Sequence, residues 1–214
     1  MNLPTKITVT RIIAIILMMV ALFVMALIPW KTIEIPQTGI NLVFLIIFVI
    51  FLLACYTDHL DGYLARKNNQ VTDLGKFLDP VADKLLINSL VIFLIAPRLF
   101  APYIPGDAPV ANISVWCAII LIARDIVVDA LRFVAASRGK VIAANIFGKV
   151  KTVLEMVAIS VVLLNDFPFN TFDGGIVGLR VSDFLVYLAT LASLLSGVIY
   201  VIQNKHVLVD NKEE

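Results

Sequence analysis

Six apolar runs, each about as long as a bilayer is thick, leave this chain few folds to choose from. A hydrocarbon core of about 30 Å takes roughly 20 helical residues, and inside it every backbone N–H and C=O must be satisfied within the segment. The runs cover Thr8–Ile28, Ile40–Leu64, Leu74–Ile95, Ile113–Ala135, Ala144–Leu164 and Asp183–Ile202. Of the 214 residues 60% are hydrophobic and 15% charged, which excludes an ordinary soluble or disordered chain. The expectation is an all-α integral membrane protein with six transmembrane helices. Pro29, Pro36, Pro97, Pro102, Pro105, Pro109 and Pro168 punctuate three of the connections. No tandem repeat, low-complexity tract or linker divides the chain, so residues 1–214 are expected to form one domain. Asn2 to Thr8 reads as a short amphipathic segment leading into the first span. Lys6 and Arg11 ahead of an apolar run would also suit a signal peptide. That run is longer than a usual h-region, and Pro29-Trp30-Lys31 is a poor cleavage site, so it reads as a retained span.

Basic residues choose the orientation. With both termini inside, only Lys31, Arg98 and Arg180 of the 17 Lys and Arg residues fall outside, the bias expected of cytoplasmic loops. Both termini and the charged ends of the spans are then expected to face the cytoplasm. A multi-pass protein of a bacterial plasma membrane is the expectation, of which the charge bias supplies only the orientation. A net charge of +1 gives no reason to expect a nucleic-acid partner. Cys55 and Cys117 both lie in apolar runs and read as small buried residues, not as a disulfide or a metal pair.

Against this background the stretch from Asp58 to Asp83 stands out. Asp58 and Asp61 close the second run, and Asp79 and Asp83 open the third. A carboxylate at membrane depth costs several kcal/mol unless it is paired, hydrated or bound to a cation. On a helix Asp58, Asp61, Gly62, Ala65 and Arg66 share an arc of roughly 140°. Asp79 and Asp83 are i,i+4 neighbours. Four hard oxygen donors, with no Cys or second nearby His, suit Mg²⁺ or Mn²⁺ better than Zn²⁺. Gly62 and Ala65 leave room for a ligand beside the carboxylates, and Arg66 and Lys76 could hold phosphate oxygens. His59 sits between two aspartates in sequence but points off their face. Acid, base and small residues together suggest a metal-bridged diphosphate.

Asp58-x-x-Asp61-Gly62-x-x-Ala65-Arg66, eight residues, then Gly75-x-x-x-Asp79-x-x-x-Asp83 resembles the signature of the CDP-alcohol phosphotransferases at every fixed position. The resemblance implies phosphatidyl or related transfer from a CDP-linked donor, with the active site at the cytoplasmic ends of the helices. It implies that Asp58, Asp61 and Asp79 hold two divalent ions, with Asp83 shared between metal contact and general base. Gly62, Ala65, Arg66 and Gly75 would accommodate the cytidine and its phosphate. Asn2-Leu3-Pro4-Thr5-Lys6-Ile7-Thr8 resembles the family's Asn-x-Pro-Asn-x-x-Thr…Arg start, which lies near the nucleotide, with Thr5 in place of the usual Asn. Arg11 could belong to that region or anchor the chain to lipid headgroups. Members are usually homodimers, which is the expectation here.

Two further patches are basic. Arg124, Asp125, Asp129 and Arg132 share about 140° of one helix face, and Lys149, Lys151, Thr152 and Glu155 about 160° of another. Internal pairing, Arg132 against Asp129, is one reading; a phosphate pocket is the other. With Arg138, these residues supply more positive charge than a CDP group needs, which points to a second, anionic substrate. Ala123-Arg124-Asp125 through Leu131-Arg132, then Gly148-Lys149-Val150-Lys151-Thr152, is similar to the family's branch whose acceptor is sn-glycerol 3-phosphate. The donor would then be CDP-diacylglycerol, with its tails among the membrane lipids. Arg124, Arg132, Arg138, Lys149 and Lys151 would hold the acceptor phosphate. Asp129-Ala130 departs from that branch's usual Thr-Gly, and a carboxylate there calls for Arg132 or Arg124 as its partner. Phosphatidylglycerol, inositol phosphate and serine are alternative acceptors. A membrane prenyltransferase, or a divalent-cation transporter using the aspartates as a path, are readings from other classes. Asn88 and Ser89 are expected to hydrogen-bond between helices, and Ser182, Ser193, Ser196 and Gly197 to serve helix packing.

Overall fold

The computed structural model describes residues 2–27, 35, 38–67, 72–97, 110–139, 146–169 and 180–205. These form six helices and no strand: α1 (Leu3–Leu27), α2 (Leu42–Lys67), α3 (Asp73–Ile95), α4 (Val115–Ser137), α5 (Ile146–Leu163) and α6 (Val181–Asn204). Each coincides with one of the apolar runs to within a few residues. Three contain stretches long and apolar enough to cross a membrane: Pro4–Leu27, Leu42–Tyr63 and Val181–Asn204. The other three are diluted by charge. Asp79, Asp83 and Lys84 lie on α3, Arg124, Asp125, Asp129 and Arg132 on α4, and Lys149, Lys151 and Glu155 on α5. The expected separate N-terminal segment does not exist as such. Helix begins at Leu3 and runs on without a break, because Pro4 falls in the first turn, where a missing N–H costs no hydrogen bond.

α1 packs against α2 and α3, α6 against α4 and α5, and α3 and α5 join the two groups. Phe44 and Phe51 on α2, Leu90, Val91 and Leu94 on α3, and Ile159, Val162 and Leu163 on α5 are almost wholly buried in the shared core. Phe44 meets Phe93 edge to face at 5.6 Å, the arrangement favoured by ring quadrupoles. Outward positions on the three candidate spans, such as Leu17, Phe23, Leu53 and Leu195, are exposed and apolar, a surface suited to lipid. Ser89 donates to Leu86 O within its own helix, not across to another as expected. A back-bond of this kind is always within reach of a helical serine. Cys55 and Cys117 are both unpaired thiols.

At the end where α3 leads toward α4 and α5 toward α6, polar side chains tie the connections. Asn165 accepts from Ala111 N at 2.8 Å and donates to Gly39 O at 3.0 Å. Asp166 is buried and accepts from Ser182 N at 2.6 Å and Ser182 Oγ at 2.8 Å, so it satisfies a free N–H in the first turn of α6. Ser182 is therefore the residue that Asp166 caps, and not only a packing one. Replacing Asp166 with Ala strands a buried N–H and hydroxyl, at about 1–3 kcal/mol. The expected result is a clearly lower melting temperature in detergent, read by intrinsic fluorescence.

Candidate active site

The first turns of α1, the last turns of α2 and the start of α3 meet at the opposite end. Thr72 caps α3 by accepting from Gly75 N at 3.1 Å, and its hydroxyl lies 2.9 Å from that of buried Thr5. A Cβ added at Gly75 would stand 3.1 Å from Thr72 Oγ1 and 3.7 Å from Thr5 Oγ1. The tight contact is with the cap, so the absence of a side chain leaves room for the Thr72 hydroxyl over the first turn of α3, while Thr5 of α1 stands at ordinary contact distance. Thr5 and Gly75, both expected near the nucleotide, are thus brought together. Gly62 follows Asp61 and is half-buried. The side chains of Ala65, Arg66 and Lys76 lie outside the described residues.

Three of the four motif aspartates form one connected group. Arg11 is buried; its Nη1 pairs with Asp58 Oδ1 and its Nη2 is 3.9 Å from Asp61 Oδ2. A lipid-headgroup anchor would have to be exposed, so Arg11 is instead the internal counter-ion of the motif. Thr8, also buried, places Oγ1 at 2.9 Å from Asp79 Oδ1, 3.2 Å from Asp61 Oδ2 and 3.2 Å from Pro4 O. One hydroxyl proton cannot serve three acceptors. Lone pairs therefore crowd between Asp61 and Asp79, where a cation would be favoured. His59 is exposed and takes no part.

With Asp58 turned to Arg11 and Asp61 and Asp79 drawn to Thr8, no three acidic, His or Cys side chains among the described residues converge closely enough to hold an ion as they stand. The donor chemistry nonetheless fits a hard divalent cation: carboxylate and hydroxyl oxygens with surplus lone pairs. Nε and Nη2 of buried Arg11 also make no hydrogen bond among the described residues. The guanidinium therefore supplies charge to the group with few of its directional bonds used.

Asp83, one turn beyond Asp79, faces a cavity of about 220 Å³. The cavity is lined by Lys84 and Ile87 of α3, Arg124, Asp125, Val128, Asp129 and Arg132 of α4, Gly148, Lys149, Lys151, Thr152 and Glu155 of α5, and Tyr200 of α6. Four of the five residues expected at an acceptor phosphate, Arg124, Arg132, Lys149 and Lys151, share this wall with Asp83. Arg138 does not; it caps the end of α4 and is exposed.

The expected surplus of positive charge is mostly consumed inside the cavity. Lys151 is buried and bonds both Asp125 oxygens at 3.0 Å and Glu155 Oε2 at 2.6 Å. Arg124 pairs with the same Asp125 at 3.0 Å and donates to Ser196 Oγ at 2.5 Å. Asp129 pairs with Lys84, not with Arg132 or Arg124. Lys84 leaves α3 on the side facing α4, whereas Arg132 is drawn to α6. Its Nε donates to Tyr200 Oη at 3.1 Å and its guanidinium carbon lies 5.5 Å from the ring centroid, a cation–π contact.

Several of these residues escaped the sequence motifs. Lys84 is a single polar residue within an apolar run, and only the partner helix reveals its use. Ser196, Gly197 and Tyr200 carry a weak signal: they occupy one face of α6 a turn apart. A Cβ at Gly197 would meet Arg124 Cγ at 2.7 Å, so glycine makes the groove in which the arginine lies. Ser196 and Gly197 thus shape the cavity and do more than pack helices.

The family model for CDP-alcohol phosphatidyltransferases matches residues 1–201. A CDP-diacylglycerol–glycerol-3-phosphate 3-phosphatidyltransferase of Bacillus subtilis (strain 168) is 37% identical over 97% of this chain and 97% of its own length. Proteins of the same name from Rickettsia felis and Mycoplasma pneumoniae are 29% and 38% identical, over 93% and 71% of this chain and 93% and 63% of their own lengths. The chain belongs to the CDP-alcohol phosphatidyltransferase family.

Proposed function

We propose that this chain transfers the phosphatidyl group of CDP-diacylglycerol to sn-glycerol 3-phosphate, giving phosphatidylglycerophosphate and CMP. The observation that carries this reading is the sharing of one cavity wall by Asp83 and the basic residues Arg124, Arg132, Lys149 and Lys151, one helical turn from the Asp58–Asp61–Asp79 group. The relatives' printed name describes the same reaction, and the Bacillus relative matches nearly the whole chain.

In this reading Asp58, Asp61, Asp79 and Asp83 would hold two Mg²⁺ or Mn²⁺ ions. Bound there, such ions would neutralise the diphosphate and the departing CMP. Thr8 and Arg11 keep the aspartates turned toward one another across three helices. The small Gly62, Ala65 and Gly75, with Arg66 and Thr5, border the cytidine side. The acceptor phosphate rests against Arg132 and Lys149, with Arg124 and Lys151 behind them. As the acceptor hydroxyl oxygen bonds to the phosphorus, the bond from phosphorus to the CMP oxygen breaks, and the hydroxyl proton passes to Asp83.

The same reading takes all six helices as membrane spans of a single domain. Both termini and the active site face the cytoplasm of a bacterial plasma membrane, the lipid tails lie alongside the helices, and the protein works as a homodimer. Each half of that topology rests on the alternation of charged and apolar helix ends and on the distribution of Lys and Arg. A less charged acceptor, phosphatidylglycerol or serine, is the alternative, favoured by the pairing that already neutralises Lys84, Arg124 and Lys151.

Purified protein given CDP-diacylglycerol and Mg²⁺ is expected to release CMP in proportion to added glycerol 3-phosphate; release with serine or phosphatidylglycerol alone would move the assignment to that acceptor. Asp79→Asn should lower the rate by on the order of a thousandfold or more. Thr8→Val removes the hydroxyl between Asp61 and Asp79. It should raise the Mg²⁺ concentration needed for half-maximal rate by about tenfold, the scale of losing a group that orients metal ligands.

A further inference from the structure

The cavity contains five cationic side chains, and they are not equally available. Lys151 is held by Asp125 and Glu155, and Arg124 by Asp125 and Ser196. Asp125 serves both, so neither cation can be released without opening the whole network. Arg132 keeps its position through Tyr200, by a bond to Nε that leaves both Nη groups for an anion. Lys149 is exposed on the first turn of α5. Lys84 differs from all of these. Its cavity partner is Asp129, the two side chains are 33% and 44% exposed, and both line the cavity. Removing the Asp129 carboxylate would disturb no other bond among the described residues and would leave the wall with one more uncompensated positive charge.

We propose that Asp129 is a specificity-determining residue that fixes how much negative charge the cavity accepts, by keeping the Lys84 ammonium occupied so that an incoming phosphate is met by Arg132 and Lys149. The inference deepens the reading in which this cavity receives the acceptor phosphate, and rests on it. A carboxylate on the wall is charge-matched to a single phosphate monoester. Its removal would make the site over-bind such an anion, since an unpaired ammonium a few ångströms from a phosphate attracts it strongly in a partly dehydrated pocket.

The test uses the full-length protein in detergent, with inorganic phosphate as the probe and calorimetric titration as the readout. Glycerol 3-phosphate KM values are measured alongside. Asp129→Asn is expected to bind phosphate roughly tenfold more tightly than the unaltered chain. Adding Lys84→Met to it should abolish that gain, because the gain comes from the freed ammonium. Lys84→Met alone leaves Asp129 unpaired on the wall and should weaken phosphate binding. A melting curve identifies folded variants, and Asp129→Ser replaces Asp129→Asn if the latter does not fold. Phosphate affinity that is unchanged or lower in the folded Asp129 variant, a gain that survives Lys84→Met, or failure of both Asp129 variants to fold would overturn the proposal. If phosphate binds more tightly as expected while no form turns over glycerol 3-phosphate, the role of Asp129 stands and the acceptor assignment falls.

Discussion

Ion pairing across helices is the constraint from which the rest of the structure follows. An unpaired charge in a low-dielectric interior costs several kcal/mol, and removing one partner of a buried pair typically costs about 3–5 kcal/mol. Buried Arg11 of α1 answers Asp61 and the half-exposed Asp58 of α2, and buried Lys151 of α5 answers Asp125 of α4, while the half-exposed Lys84–Asp129 pair adds a weaker tie between α3 and α4. Each pair joins two helices whose apolar contacts alone would allow them to slide. Leucine and valine surfaces pack acceptably in many registers, whereas a carboxylate and a guanidinium have one. The charged residues therefore set the relative depth of the helices as well as lining the site.

That arrangement divides the chemistry between two halves that share α3. α1, α2 and the first two turns of α3 gather the three aspartates linked through Thr8 and Arg11. α4, α5 and the end of α6 build the cavity with its basic wall. Asp79 belongs to the first group and Asp83 to the second, four residues apart on one face, a rise of about 6 Å. Pro80 lies between them and withholds one N–H from the helical ladder at that turn. A donor held by the aspartates and an acceptor held by the cavity would thus meet across a single helical turn.

The six helices were legible in the sequence because apolar runs of this length have few alternatives, and their ends were placed to within a few residues. The aspartates and basic residues were legible as types with spacing. Their partners were not. Helical periodicity says which residues of one helix share a face, but nothing about which helix that face meets. So Asp129 was matched in sequence to Arg132, three residues away, while in the fold it turns to Lys84, forty-five positions earlier. Arg11 was ambiguous for the same reason: a basic residue near the start of an apolar run reads equally as an anchor or as a buried counter-ion. Thr8 was legible only as a residue of the N-terminal motif, and Ser196 and Tyr200 are ordinary in composition; all three acquire their use from the atoms opposite them.

The pairing pattern also bears on which aspartate moves a proton. Asp58 is committed to Arg11, and Asp61 and Asp79 to Thr8 and to each other's neighbourhood. Asp83 has no hydrogen bond or ion pair among the described residues, and it opens on the cavity where the basic wall would hold an acceptor. Of the four it alone combines access to an incoming hydroxyl with a free lone pair. Within one helix Asp79 thus turns toward Thr8 and Asp83 toward the cavity. In the proposed reading these are the donor and acceptor sides, in agreement with the general-base role that the resemblance implies for Asp83.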